Sequence, residues 1–108
     1  MTTADEALIV WSNAPDAATA EKLAETLVQE GLAACVHVLA EGRSFYVWEG
    51  KLEKDTEWTL MIKTRRGRYE KLAARLTELH PYDVPEILAT PIENGHPAYL
   101  EWLHRSTG

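Results

Sequence analysis

A single cysteine, Cys35, is the only thiol in this 108-residue chain. No internal disulfide can form, and the count suits a reducing compartment. Positive charge is also scarce, with 11 Lys and Arg against 17 Asp and Glu and a net charge of −6. That balance disfavours nucleic acid and anionic membrane as partners. No apolar run approaches the ~20 residues of a membrane span. The start, Met1-Thr2-Thr3-Ala4-Asp5-Glu6, lacks the basic and apolar regions of a signal peptide, so a cytoplasmic location is expected. Also missing are a P-loop, a dinucleotide fingerprint, and the nucleophile-elbow and zinc-helix motifs of hydrolases. No repeat or linker divides the chain, and one domain covering residues 1–108 is expected.

The apolar fraction is 45% and the charged fraction 26%, values ordinary for a folded protein. Ala7 to Trp11 is an unbroken apolar run, which suits a strand covered on both faces. Asp16 stands where a helix N-cap belongs, and Ala20, Leu23, Ala24, Leu27 and Val28 recur at helical spacing after it. Gly31 fits a C′ glycine, with Leu32 packing back on Leu27 in a Schellman arrangement. Ala33 to Ala40 reads as a second strand that bends at Gly42 and continues through Ser44–Trp48. Glu49-Gly50-Lys51 is hairpin punctuation, and Glu53-Lys54-Asp55 can lengthen the loop. The third strand is expected from about Glu57 to Lys63, with Trp58, Leu60 and Ile62 on one face and Thr59, Met61 and Lys63 on the other. Tyr69, Leu72, Ala73, Leu76 and Leu79 make a second helical stripe that Pro81 ends. Ile87–Thr90 is a fourth strand, and Pro97 opens a short last helix before an untied end at Ser106-Thr107-Gly108.

The order β-α-β-β-α-β plus a short helix predicts an α+β, ferredoxin-like antiparallel sheet with two helices on one face. Two helices cover one side only, while the strands carry apolar residues on both. The bare side would be a contiguous apolar patch, which soluble monomers rarely expose, so an oligomer with facing sheets is expected.

The most constrained stretch is His80-Pro81-Tyr82-Asp83-Val84-Pro85-Glu86. Its two prolines hold the backbone stiffly and push His80 and Val84 towards extended geometry. It reads either as a rigid corner that stops a helix or as a site preorganised by the prolines. As a site, His80 and Glu86 are candidate ligands for Cu2+ or another divalent cation. The same two residues are the one acid–base pair on which an enzyme could be argued, and no catalytic residue is assigned. Cys35 in its apolar strand reads as a small buried hydrophobe with no basic neighbour. His37 falls on the same strand face, so the pair is a second, weaker metal candidate. Lys63 lies inside an apolar strand and needs a partner, for which Glu49 or Glu86 is the candidate. Arg65, Arg66 and Arg68 read as a solvated basic turn or an anion site. Trp48, Lys63, Arg65, Tyr82, Tyr99 and Trp102 are the candidate lining of a ligand pocket, although the aromatics serve equally as core or interface. His96 reads as a turn or cap, and His104 as a cation at a helix C-terminus.

Several stretches resemble the CutA family of divalent-cation-tolerance proteins. They are Ala14-Pro15-Asp16, Glu30-Gly31-Leu32-Ala33-Ala34-Cys35-Val36, Tyr46-Val47-Trp48-Glu49-Gly50-Lys51, Ile62-Lys63-Thr64, His80 to Glu86, and Pro97 to Trp102. The resemblance covers about Ala7 to Leu103 and implies a ferredoxin-like fold, a tight homotrimer and a link to copper tolerance, with no established reaction. The trimeric plan also resembles the PII signalling proteins, which implies a small anionic effector between subunits as the alternative. Two positions depart from some members: Ser12 replaces a cysteine, and Leu79 replaces a second histidine before His80. A copper site using those ligands cannot form in the same way here, so weak binding is expected.

Overall fold

The computed structural model describes residues 5–39 and 41–108. Its elements are β1 (Ala7–Ala14), α1 (Ala17–Gln29), β2 (Cys35–Val38), β3 (Gly42–Trp48), β4 (Lys51–Arg65), α2 (Arg66–Leu79), β5 (Leu88–Pro91) and α3 (Pro97–Ser106). The sheet runs β2-β4-β1-β5 with antiparallel neighbours, and β3 pairs with the outer part of β4. This is the expected α+β, ferredoxin-like plan with the second strand divided in two. Ala40, placed in that strand from the sequence, lies outside the described residues.

The ends of α1 follow from local chemistry. The Asp16 carboxylate accepts the Thr19 amide at 2.7 Å, which holds the Asp16 carboxyl below its ordinary value. At the other end Gly31 takes φ 70°, its amide bonds Val28 O, and the Leu32 amide bonds Leu27 O. Those two bonds are the Schellman pair, and Leu27 and Leu32 are both buried beside it. Leu23 and Leu27 of α1 and Leu72 and Leu76 of α2 pack on Val10, Leu60 and Ile62 of the sheet. Truncating one such leucine to alanine costs ~2–5 kcal/mol.

The strand β1 is not covered on both faces. Leu8, Val10, Ser12 and Ala14 are buried under the helices, whereas Ile9, Trp11 and Asn13 are half-buried on the opposite face. An unbroken apolar run here serves two faces with different neighbours. The third strand is also longer than its apolar core suggests, because Glu53-Lys54-Asp55 belongs to β4 and not to a loop. The turn is only Glu49-Gly50, with φ 50° and 77°, the left-handed pair of a type I′ hairpin. β3 and the outer half of β4 thus form a two-stranded arm, and the molecule extends 46 × 25 × 23 Å. Phe45, Val47, Trp48 and Leu52 on this arm are each about 60% exposed or more.

The end of the chain is tied down, contrary to expectation. Thr107 is fully buried and its hydroxyl donates to Leu103 O. Arg65 donates to Thr107 O at 2.8 Å, and Arg68 donates to Thr107 O and to Gly108 O. Arginine forks satisfy carbonyls that the last turn of α3 leaves open.

Candidate functional site

Two separate clusters hold the candidate residues. The first lies on the sheet face that α1 and α2 leave open. Register places Thr90, Ile9, Lys63 and Cys35 in one row across the sheet, and Leu88, Trp11, Met61 and His37 in the next. Partners directly opposite one another share a face. α3 brings Tyr99 to this side. The Lys63 ammonium donates to the Tyr99 hydroxyl at 3.2 Å and lies 5.4 Å from the ring centre. The hydrogen bond to Tyr99 raises the Lys63 pKa above its ordinary value against a smaller opposing effect of burial, with Cys35 a minor contributor. The partner is therefore a phenol and a ring face, not Glu49 or Glu86. Trp102 lies with its ring centre 5.4 Å from that of Tyr99. Cys35 is half-buried, not buried, and Lys63 is its direct cross-strand partner, so the thiol does have a basic neighbour. The docking of α3 and the strand pairing bring these groups together; spacing along the chain does not.

The second cluster is built on the proline-bounded stretch. His80 caps α2, is buried, and has both ring nitrogens engaged. Its Nδ1 accepts the Tyr82 amide at 3.1 Å, so Nε2 carries the hydrogen and donates to Asn13 O at 2.6 Å. A metal ion can take His80 only by breaking one of these bonds. The Tyr82 hydroxyl donates to Glu57 at 3.1 Å. Burial and then this bond push the Tyr82 phenol up to about 12. The Glu86 carboxyl is raised by partial desolvation and by the nearby Glu57 charge. Glu53, Asp55 and Glu57 alternate along β4 and share one face of the arm, where Tyr46 donates to Asp55. That bond is the main cause pushing the Tyr46 phenol up to about 12. Sequence reading passed over Glu57 and Asn13, although the acidic alternation at 53, 55 and 57 was a visible signal of one strand face.

One chain does not join the two clusters into a single pocket. Lys63 and Glu57 are six residues apart on the same strand, roughly 20 Å at the ordinary rise. Trp48 is on the arm, next to the hairpin turn, and 61% exposed. Arg65 holds the chain end through Thr107. Arg66 pairs with Glu6 at 3.0 Å, and His104 with Asp5. A groove of about 1160 Å³ between α3 and the start of β1 contains none of the candidate ligands. Among the described residues no three His, Cys, Asp or Glu side chains cluster closely enough to hold a metal ion. Ser12, on the helix side of β1, has a fully buried hydroxyl without a hydrogen-bond partner among the described residues. No helix is long and apolar enough to cross a membrane.

A protein-family model described as CutA1 divalent ion tolerance protein matches residues 8–106. The chain is 45% identical over 100 residues to the divalent-cation tolerance protein CutA of Pyrococcus horikoshii, covering 93% of this chain and 97% of that protein. It is also 45% identical to the chloroplastic protein CutA of Arabidopsis thaliana over 100 residues, which is 93% of this chain but 55% of the plant protein. The chain therefore spans about half the length of that relative. The crystal structure of CutA1 from Oryza sativa matches with a TM-score of 0.95 at 39% identity, over 99% of this chain and 98% of that one.

Proposed function

This chain belongs to the CutA1 divalent ion tolerance family, and we propose that it acts as a non-enzymatic homotrimer in the cytoplasm, in divalent-cation and specifically copper tolerance. The open sheet face carries this reading. Ile9, Trp11 and Met61 are only half-buried there and Leu88 is 60% exposed. The arm adds to the same demand. Lys51 to Glu57 have β3 on one side and, among the described residues, no strand on the other, because β1 pairs only with residues from Trp58 onward. An open edge beside apolar side chains favours pairing with another chain. Packing three copies face to face and edge to edge would cover both.

In this reading a divalent cation binds weakly at Glu86, with Glu57 beside it and the remaining ligands from an adjoining subunit. Desolvation and the neighbouring Glu57 charge raise the proton affinity of Glu86, and a shared cation would relieve that repulsion. His80 joins Cu2+ only at the expense of a hydrogen bond, which keeps the affinity low. Sedimentation equilibrium at micromolar protein should give three chain masses. Titration with Cu2+ should show binding that a chelator strips easily and that Glu86→Gln weakens. A stable soluble monomer would remove the trimer, and unchanged Cu2+ affinity in Glu86→Gln would remove the site.

A PII-like regulator that binds a small anion between subunits is the second reading. It is favoured by Lys63, whose ammonium is met by Tyr99 and, among the described residues, by no carboxylate. Stabilisation by phosphorylated metabolites and not by metal, in a thermal-shift panel, would select it.

A further inference from the structure

The border of β2 and β4 on the open face carries two soft sulfur donors, the Cys35 thiol and the Met61 thioether, and the His37 imidazole. His37 and Met61 are register partners, and Cys35 is two residues from His37 on the same strand, so all three project from one side. Opposed residues on a sheet have Cβ atoms ~4.5–5.5 Å apart and diagonal ones ~7–8 Å, within reach of one ion for side chains this long. The imidazole of His37 is exposed and makes no hydrogen bond among the described residues. Cys35 is a free, half-buried thiol, and Met61 is half-buried with Trp11 as its β1 partner. The neighbouring cation, Lys63, is turned to Tyr99.

We infer that Cys35, His37 and Met61 form a three-coordinate site for monovalent copper. Thiolate and thioether select Cu(I), and imidazole accepts it. Neither of these two rows across the sheet carries a carboxylate, so hard divalent ions find no oxygen ligand in them. On binding, the Cys35 thiol releases its proton to solvent and the sulfur lone pair takes the metal; no electron is transferred. Thiolate and Cu(I) together carry no net charge, so the site can sit on a face that a neighbouring subunit covers. The site differs from the proposed divalent site in place, ligands and oxidation state, and it stands without the trimer.

The test is anaerobic titration of the full chain with Cu(I) against bicinchoninate, with copper X-ray absorption on the complex. One Cu(I) per chain is expected, with sulfur and nitrogen scatterers. Cys35→Ser should weaken binding at least about 100-fold, and His37→Asn and Met61→Leu at least about 10-fold each, since loss of even an outer-shell partner costs about 10–100-fold. His37 is exposed, so His37→Asn reads out the site even if a Cys35 variant folds poorly. Equal affinity in wild type and His37→Asn, oxygen-only scatterers, or tighter binding of Zn2+ than of Cu(I) would each overturn the assignment. Sedimentation and Cu2+ titration of the same samples separate this outcome from failure of the trimeric divalent-cation reading.

Discussion

At the scale of single residues, the chemistry of this chain depends on what each polar group already holds. His80 looked like a free imidazole on a stiff turn, yet both nitrogens bind backbone, one to Asn13 and one to Tyr82. Ser12 shows the opposite condition, a buried hydroxyl without a hydrogen-bond partner among the described residues. Glu86 is the residue whose state should change with pH. Its carboxyl is raised above 4.5 by desolvation and by Glu57. The folded protein therefore binds this proton more tightly than the unfolded chain does. The contribution is fully present below about 4.5 and is lost as pH rises through the higher folded value. Glu86→Gln should raise the melting temperature at pH 7 and flatten the fall in stability just above pH 4.5, measured by thermal unfolding across pH. An unchanged slope would mean that Glu86 is fully solvated in the assembly.

At the scale of elements, the β3–β4 hairpin is the place where backbone geometry and residue type disagree. Glu49 adopts φ 50°, a conformation that disfavours most side chains, and it does so because the two-residue turn requires left-handed geometry at both positions. Asparagine tolerates that geometry better. Glu49→Asn should stabilise the arm by up to ~1 kcal/mol, with slower amide exchange along Val47 to Leu52. Faster exchange would show that the Glu49 side chain has a role in the turn. The contrast with α1 is instructive. Its Asp16 cap and Gly31 end obey local rules completely, and both were readable from residue type and spacing.

At the scale of the whole molecule, the described residues leave much of one apolar sheet face and one edge of the arm uncovered. Met61 lies on that face between Trp11 and His37. Met61→Glu would bury an unpaired charge wherever another copy covers it, a change that costs several kcal/mol. Sedimentation of this variant should show monomers or unfolding, while the wild type stays trimeric. A Met61→Glu protein of wild-type mass and stability would place the subunit contact elsewhere and leave the arm as its only candidate.

Legible in the chain alone were the three helices, the Asp16 and Gly31 ends of α1, the Pro97 start of α3 and the ferredoxin-like order. These depend on periodicity and on cap and turn chemistry within a few residues, which the chain carries locally. It also foretold a bare apolar face, because two helices can cover only one side of a sheet whose strands are apolar on both; that Ile9 and Trp11 are the β1 residues on that face came from the structure. Which polar groups meet follows from the three-dimensional packing. Lys63 finds Tyr99 across 36 residues, Tyr82 finds Glu57 across 25, and Arg65 finds Thr107 across 42. Such pairs depend on strand register and on where α3 docks, and each can form only after the loops between them have closed. No local pattern encodes that closure, so the partners of Cys35, Lys63 and His80 became readable only in three dimensions.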